Sequence, residues 1–348
     1  MVRVLIADDS LLTRTVLKDL LARDREIEVI GEASDGRQAV DMTCQLKPDL
    51  VLMDVMMPVM DGLTAVIEIM ALCATPILVL SANVDPNDSH SAFNAIRHGA
   101  LDVMEKPAGI ANGAFGEIAA ALINKIKVLA RVRVIHHFRR PRQSATAPSP
   151  VAVPVVAGRN LLAIGASTGG PKAVMSLLKE LPVGRRARLL IVQHIAPGFA
   201  PGFAEWLDRE SGLTVRLARD GEVPAEGVAL VAPNGAQMEV QGGRIRLLDT
   251  PPVNSCRPSV DVLFRSLAKD GLAPSLVAVL LTGMGQDGAE GMVALKAAGS
   301  YNIAQDEASS AVFGMPRAAI QMGAVHQVLP LGDIPPALQR ILQAGKSL

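Results

Sequence analysis

The chain has 348 residues, of which 49% are hydrophobic and 20% charged, and its 34 basic residues balance 34 acidic ones. This length exceeds one ordinary hydrophobic core, so we expect two domains. The even charge and the 3% of aromatic residues argue against a nucleic-acid-binding surface. No apolar run approaches the roughly 18 residues of a membrane span, and the segment MVRVLIADDS does not resemble a signal peptide. We therefore expect a cytoplasmic protein that does not insert into a membrane.

The three cysteines, Cys44, Cys73 and Cys256, are far apart in the sequence. An odd number at such spacing is typical neither of a disulfide framework nor of a zinc site. We therefore expect reduced cysteines, as in a reducing compartment.

Short apolar runs alternate with helical patterns over the first 106 residues. The predicted strands are Val2–Ala7, Ile27–Gly31, Leu50–Met53, Ile77–Leu80 and Leu101–Met104. Helical periodicity covers Leu11–Ala22 and Gly36–Leu46, and a fifth helix is expected from about Phe115 to Val132. This alternation predicts an α/β fold, a (βα)5 domain with a parallel sheet over residues 1–122.

Residues 123–158 are predicted to hold the end of the fifth helix and a linker, because the stretch from Arg139 to Gly158 is rich in Pro, Ala and Ser. The alternation resumes over residues 159–348. The continuous apolar runs LLAIG, RLLIVQH and SLVAVLLTG are typical of strands buried on both faces. The segment MEVQGGRIRLL predicts a hairpin that turns at Gly242-Gly243. We expect a doubly wound α/β domain with a mainly parallel sheet and one antiparallel hairpin.

Polar residues follow the predicted strands of the first domain. Asp8 and Asp9 end the first strand, Asp54 the third, Ser81 the fourth and Lys106 the fifth. Ligands bind at the carboxyl ends of strands in such a sheet, and converging carboxylates suit a hard cation such as Mg²⁺. Together the set favours an aspartate that accepts a phosphoryl group. For each aspartate taken singly, a helix or loop cap is the alternative.

These residues, with DVMMPVMDG around Asp54 and with Lys106-Pro107, resemble the response-regulator receiver family over residues 1–122. The resemblance implies that a histidine kinase phosphorylates Asp54, and that Ser81 and Lys106 respond to the phosphoryl group. The Mg²⁺ ligands that it implies are Asp9, Asp54 and the carbonyl of Met56, with Asp8 assisting. Many receivers carry an aromatic residue where this chain has Val103, so the resemblance does not imply an aromatic rotamer switch here.

In the second domain, the strand LLAIG leads into GASTGGPK, which fits G-x-S-x-G around Ser167. Glycines permit the tight turn that exposes the serine hydroxyl, and N–H groups at the following helix start can hold an oxyanion. The alternative is a phosphate-binding loop. The segment nearly matches that motif, but Pro171 displaces Lys172 by one position and no Ser or Thr follows the lysine.

A base and a carboxylate are needed beside Ser167. His194 ends the second strand of this domain, so it can lie next to the serine, and Asp287 follows another buried strand. Asp287 and Glu290 also resemble a capping box, a role compatible with catalysis. The chain order Ser, His, Asp differs from that of α/β-hydrolases and indicates a different fold family.

The segments GASTGGP, QHI, NSCRPSVDVLF and LTGMGQDGAEG resemble the chemotaxis receptor methylesterase family, the CheB type, which joins a receiver to an esterase. The resemblance covers nearly the whole chain. It implies hydrolysis of glutamate γ-methyl esters on methyl-accepting chemotaxis receptors, often with deamidation of receptor glutamines, by an esterase that needs no cofactor. The site residues that it implies are Ser167 as nucleophile, His194 as base, Asp287 as its orienter, and the N–H groups of Met284 and Thr168 as the oxyanion hole.

Cys256 stands where relatives often have histidine, which leaves local substrate contacts open. We do not expect Cys256 to be the nucleophile, since no histidine is close to it in the sequence. A transcription-factor output would need a basic helix-turn-helix module, whereas residues 159–348 indicate a large α/β domain of near-even charge. A hydrolase of the same architecture that acts on a protein ester outside chemotaxis stays open, because surface loops set specificity.

Overall fold

The structure is a computed structural model, and it describes residues 1–81, 86–107, 115–132, 159–181 and 187–343. The chain forms two compact units, and each contains its own main sheet. The predicted linker from Arg139 to Gly158 lies outside the described residues.

The first unit contains a five-stranded sheet in the order β2-β1-β3-β4-β5, and every pairing is parallel. Its strands are β1 (Val2–Ala7), β2 (Ile27–Ala33), β3 (Leu50–Asp54), β4 (Ile77–Ser81) and β5 (Asp102–Glu105). Its helices are α1 (Leu11–Leu21), α2 (Gly36–Leu46), α3 (Gly62–Leu72), α4 (Pro86–Arg97) and α5 (Phe115–Leu129). The predicted (βα)5 fold is confirmed. Its switch point lies between β1 and β3, where a ligand crevice is expected.

The expectation of three reduced cysteines is wrong for two of them. A disulfide joins Cys44 of α2 to Cys73, the residue that ends α3, with Cα atoms 5.3 Å apart. The two residues are 29 positions apart in the sequence, and it is the packing of α2 against α3 that brings them together. Cys256 is a free cysteine.

The second unit contains a seven-stranded sheet in the order β14-β13-β12-β6-β7-β9-β8, again parallel throughout. Its strands are β6 (Leu161–Ala166), β7 (Arg188–Gln193), β8 (Thr214–Leu217), β9 (Val228–Val231), β12 (Leu276–Leu280), β13 (Tyr301–Gln305) and β14 (Gln327–Leu329). Its helices are α6 (Gly170–Lys179), α7 (Ala200–Ser211), α8 (Val260–Lys269), α9 (Ala289–Ala297), α10 (Met315–Gln321) and α11 (Ile334–Gln343).

Every residue of β6 and β12 is buried, as predicted from their continuous apolar sequences. The chain runs from β6 to β7 on one side and returns later to β12 on the other, so the strand order reverses at β6. A crevice at the carboxyl ends of these strands is the expected ligand site of such a sheet.

The predicted hairpin is confirmed as β10 (Gln237–Gln241) and β11 (Arg244–Leu248), which pair antiparallel. Gly242 and Gly243 connect them with φ of 59° and 72°, the left-handed conformation that a two-residue hairpin turn requires. Among the helices that the structure describes, none has both the length and the apolar character needed to cross a membrane.

Candidate active site

Ser167 directly follows β6, the central strand of the larger sheet. Its N–H donates to the carbonyl of Thr282, just beyond β12, at 3.0 Å. A Cβ at Gly283 would lie only 2.7 Å from the Cβ of Ser167, so glycine is required for this close approach. Gly169 has a φ of 74° and is the residue that precedes and caps α6. The predicted strand, tight turn and helix around Ser167 are therefore present.

His194 and Asp287 meet although 93 residues separate them. His194 follows β7 and Asp287 lies in the loop after β12, so both come from neighbours of β6. His194 Nε2 lies 2.8 Å from Asp287 Oδ2. Because a carboxylate can only accept, Nε2 carries the proton. The imidazole is thereby oriented with Nδ1 on its opposite edge.

The amino-terminal end of α8 holds the Asp287 carboxylate in place. Ser259 Oγ donates to it at 2.7 Å, the N–H of Val260 at 2.6 Å and Asn254 Nδ2 at 3.0 Å. Burial raises the pKa of Asp287, but the hydrogen bond from His194 and these donors lower it below the ordinary value. The carboxylate is therefore anionic and fixed, in the positive field of a helix start.

The alternative that Asp287 and Glu290 form a capping box is wrong. The residue that caps α9 is Gly288, which has no side chain to accept a hydrogen bond. Glu290 instead pairs with Arg265 of α8. Within the described residues, the hydrogen bonds of the Asp287 carboxylate join it to His194, to the start of α8 and to the loop before α8.

The other imidazole nitrogen of His194, Nδ1, lies 3.6 Å from Cys256 Sγ. Ser167 and His194 are both described, and no hydrogen bond joins their side chains. Burial lowers the pKa of His194, but the contacts with Asp287 and Cys256 outweigh it and raise the pKa to about 9. His194 and Cys256 are 62 residues apart in the sequence, so the sequence analysis did not predict their contact.

Gln193, the last residue of β7, is a site residue that the sequence reasoning missed. Its Nε2 donates to the carbonyls of Ser167 at 2.7 Å and His194 at 2.9 Å, and the residue is 2% exposed. The side chain therefore ties the serine turn to the histidine loop. A polar residue at the end of an otherwise apolar strand was the available signal.

The N–H groups of Thr168 and Met284 are those proposed for an oxyanion hole around Ser167. Thr168 follows it in the turn and is 3% exposed, whereas Met284 lies beyond β12 and is 40% exposed. Thr282 Oγ1 donates to the Thr168 carbonyl at 2.9 Å and fixes the turn. Within the described ranges, the N–H groups of Thr168 and Met284 have no hydrogen-bond acceptor. Both are thus available to an incoming oxygen.

In the first unit, the structure brings together Asp8, Asp9 and Asp54, each of which has one carboxylate oxygen within 4.8 Å of one oxygen of each of the others. Lys106 Nζ lies 2.8 Å from Asp8 Oδ2 and 2.9 Å from Asp54 Oδ2. Ser10 caps α1, so the alternative that Asp8 or Asp9 does so is wrong. Burial raises the pKa of Asp54 despite the hydrogen bond from Lys106. Three carboxylates this close repel one another, a repulsion that a bound cation would relieve, and their all-oxygen donor set fits Mg²⁺.

The remaining predicted residues of this cluster occupy neighbouring strand ends. Ser81 ends β4 and is buried, and its carbonyl accepts the N–H of Lys106 at 2.9 Å. The backbone of Met56, two residues after Asp54, hydrogen-bonds that carboxylate. Val103 is buried within β5. The predicted residues therefore share one edge of the sheet.

Comparison with known proteins gives matches over both units. The family model described as CheB methylesterase matches residues 162–338, and that described as response regulator receiver domain matches residues 4–113. A protein-glutamate methylesterase/protein-glutamine glutaminase of Anaeromyxobacter dehalogenans is 45% identical, with 98% of this chain and 97% of that protein covered. One of Geobacter metallireducens is 43% identical, with 97% and 98% covered.

Among solved structures, the Thermotoga maritima CheB methylesterase catalytic domain is 37% identical, with a TM-score of 0.49, over 51% of this chain and 96% of that one. The sequence relatives align over nearly their full length. The chain therefore belongs to the CheB methylesterase family, with a response-regulator receiver domain preceding the methylesterase domain.

Proposed function

We propose that this protein hydrolyses glutamate γ-methyl esters on methyl-accepting chemotaxis receptors and also deamidates receptor glutamines. The names of its relatives support this substrate class. The observation that carries the proposal is the His194–Asp287 pair, 2.8 Å apart, beside a serine turn at the ends of three adjacent strands. A phosphate-binding loop does not require a histidine–aspartate pair. The names of the relatives do not favour a protein ester outside chemotaxis as the substrate.

In the proposed reaction, Ser167 Oγ attacks the ester carbonyl while His194 Nδ1 takes its proton. Asp287 holds Nε2 and stabilises the imidazolium that forms. The N–H groups of Thr168 and Met284 bind the developing oxyanion. His194 returns the proton to the departing methanol, and water then releases glutamate from the acyl-enzyme by the same steps in reverse. Nδ1 must turn from Cys256 to Ser167 at the start of this cycle.

We further propose that a chemotaxis histidine kinase phosphorylates Asp54 and thereby activates the esterase, in the cytoplasm. Asp9, Asp54 and the Met56 carbonyl, with Asp8 assisting, would hold Mg²⁺, which when bound neutralises the carboxylates and the phosphoryl charge. Lys106 lies within 2.9 Å of Asp54 Oδ2 and can pair with the phosphoryl group. Ser81 lies at the adjacent strand end, where its hydroxyl can respond to that group. No cofactor is proposed for the esterase.

Removal of the serine hydroxyl tests the proposal. Ser167→Ala should fold normally yet release methanol from methylated receptor membranes at least roughly a thousandfold more slowly, because the nucleophile is lost. Circular dichroism and thermal unfolding of the variant provide the folding control. Near-normal methanol release by the folded variant would exclude a serine mechanism.

A further inference from the structure

The thiol of Cys256 faces the catalytic imidazole, a contact that the proposed ester hydrolysis does not use. Sγ lies 3.6 Å from His194 Nδ1 and 3.3 Å from the carbonyl oxygen of Asn254. Cys256 is half-buried and is the cysteine that stays free when Cys44 and Cys73 are joined. The site therefore offers one sulfur and one imidazole nitrogen side by side.

The separation of these two atoms matches that of two ligands on one tetrahedral zinc ion. Zinc binds cysteine sulfur at about 2.3 Å and histidine nitrogen at about 2.0–2.1 Å, which at the tetrahedral angle places the two donors about 3.5–3.6 Å apart. The observed distance of 3.6 Å agrees with this separation. Sulfur with imidazole is also a donor pair that favours zinc over magnesium or calcium.

The imidazole nitrogen that does not face Cys256 makes a contact typical of histidines that bind zinc. A histidine that binds a metal through one nitrogen usually donates the other N–H to a carboxylate, which fixes the tautomer. His194 Nε2 makes this contact with Asp287 at 2.8 Å. Asp287 is itself held by Ser259 and Val260, so the imidazole is oriented before any ion arrives.

We propose that Cys256 and His194 form a binding site for a thiophilic divalent cation, zinc above all, and that the bound ion inhibits the esterase. The thiol proton leaves to solvent, as does the Nδ1 proton wherever the imidazole is protonated. Sγ and Nδ1 then each donate an electron pair to the ion, and water completes the tetrahedron. Inhibition follows because the ion occupies the nitrogen that must accept the Ser167 proton. The inhibition rests on the proposed function, whereas the metal binding does not.

Cobalt is the direct probe, because a thiolate bound to Co²⁺ gives a charge-transfer absorption that oxygen and nitrogen ligands do not. The full-length protein is titrated with Co²⁺ in excess Mg²⁺, which keeps the receiver carboxylates occupied. We expect the thiolate band to appear and to vanish when zinc is added. Cys256→Ser is the matched variant, since it keeps a small polar side chain, and it should lose the band. His194→Gln should weaken cobalt binding as well.

Methanol release supplies the second readout. The zinc concentration that halves the rate should rise by more than roughly tenfold in Cys256→Ser, each protein being compared with its own rate in chelator, because loss of even an outer partner of a metal ligand costs that much. Equal cobalt spectra for both proteins would overturn the site. Zinc bound without inhibition would overturn the inhibitory role. If chelated enzyme releases no methanol, the proposed function fails while the cobalt titration still decides the site.

Discussion

The imidazole of His194 lies between two groups that favour its protonated form, the Asp287 carboxylate at Nε2 and the Cys256 thiol at Nδ1. Burial alone would lower its pKa, yet the net effect raises it to about 9. A general base must be neutral to take a proton. The raised pKa therefore reduces the fraction of molecules at neutral pH whose imidazole is neutral and able to activate Ser167.

The pH profile of kcat/KM should show this. We expect activity in the presence of a chelator to rise with pH until His194 is deprotonated, near its pKa of about 9. Cys256→Ser removes one of the groups that raise this pKa, so its acidic limb should lie at lower pH. Acidic limbs at the same pH in the wild-type and Cys256→Ser proteins would show that Cys256 does not affect the pKa of His194.

Asp287→Asn separates catalysis from stability. The carboxylate accepts five hydrogen bonds, and an amide can accept through only one oxygen. We expect turnover to fall by about ten-thousandfold, because the imidazole loses its tautomer and orientation. The buried donors left unpaired should cost roughly 1–3 kcal/mol of unfolding free energy. Initial rates and urea unfolding measure the two effects.

Asp261→Asn is the matched control for that experiment. The Asp261 carboxylate is buried in the same region and accepts the N–H of Gly291 at 2.6 Å, without contacting His194. Replacing the Asp261 carboxylate should lower the unfolding free energy, with a far smaller change in turnover than Asp287→Asn causes. If Asp287→Asn behaved in the same way, its role would be structural only.

At the scale of elements, the site lies at the ends of strands, and the positions of these strand ends could be predicted from the sequence. The apolar runs of β6, β7 and β12 and the glycines around Ser167 depend on local sequence, so Ser167, His194 and Asp287 could be placed at one sheet edge. The contribution of α8 could not be predicted. Its amino-terminal N–H groups reach Asp287 through packing between elements that are distant in the sequence.

The capping-box alternative and the prediction of three reduced cysteines are wrong for the same physical reason. A spacing of three residues suggested that Asp287 and Glu290 cap a helix, but tertiary contacts with His194 and Arg265 determine both side chains. Cys44 and Cys73 meet only because α2 packs against α3. Local pattern locates elements, whereas contacts between them decide which side chains meet.

The disulfide between α2 and α3 should stabilise the receiver unit. Closing a loop of 29 residues in the unfolded chain is worth about 3–4 kcal/mol in the loop-entropy description. A reductant should therefore lower the unfolding free energy of this unit by about that amount. The variant with Cys44→Ser and Cys73→Ser should not respond to reductant. Three reactive thiols in the unreduced protein, in place of one, would contradict the disulfide.

At the scale of the whole molecule, one chain joins a phosphate-accepting unit to an esterase. The predicted linker of about twenty residues, which lies outside the described residues, would tether the two units at roughly millimolar effective concentration. Phosphorylation can then act only through a difference in stability between active and inactive states.

Methanol release from methylated receptor membranes, with and without acetyl phosphate and Mg²⁺, tests the central claim that phosphorylation of Asp54 governs an esterase built on Ser167. We expect the phosphodonor to increase release by the wild-type protein. Asp54→Ala should stay at the basal rate with or without it, and Ser167→Ala should release almost none. A wild-type rate that ignores the phosphodonor, or an Asp54→Ala variant that still responds to it, would contradict the account.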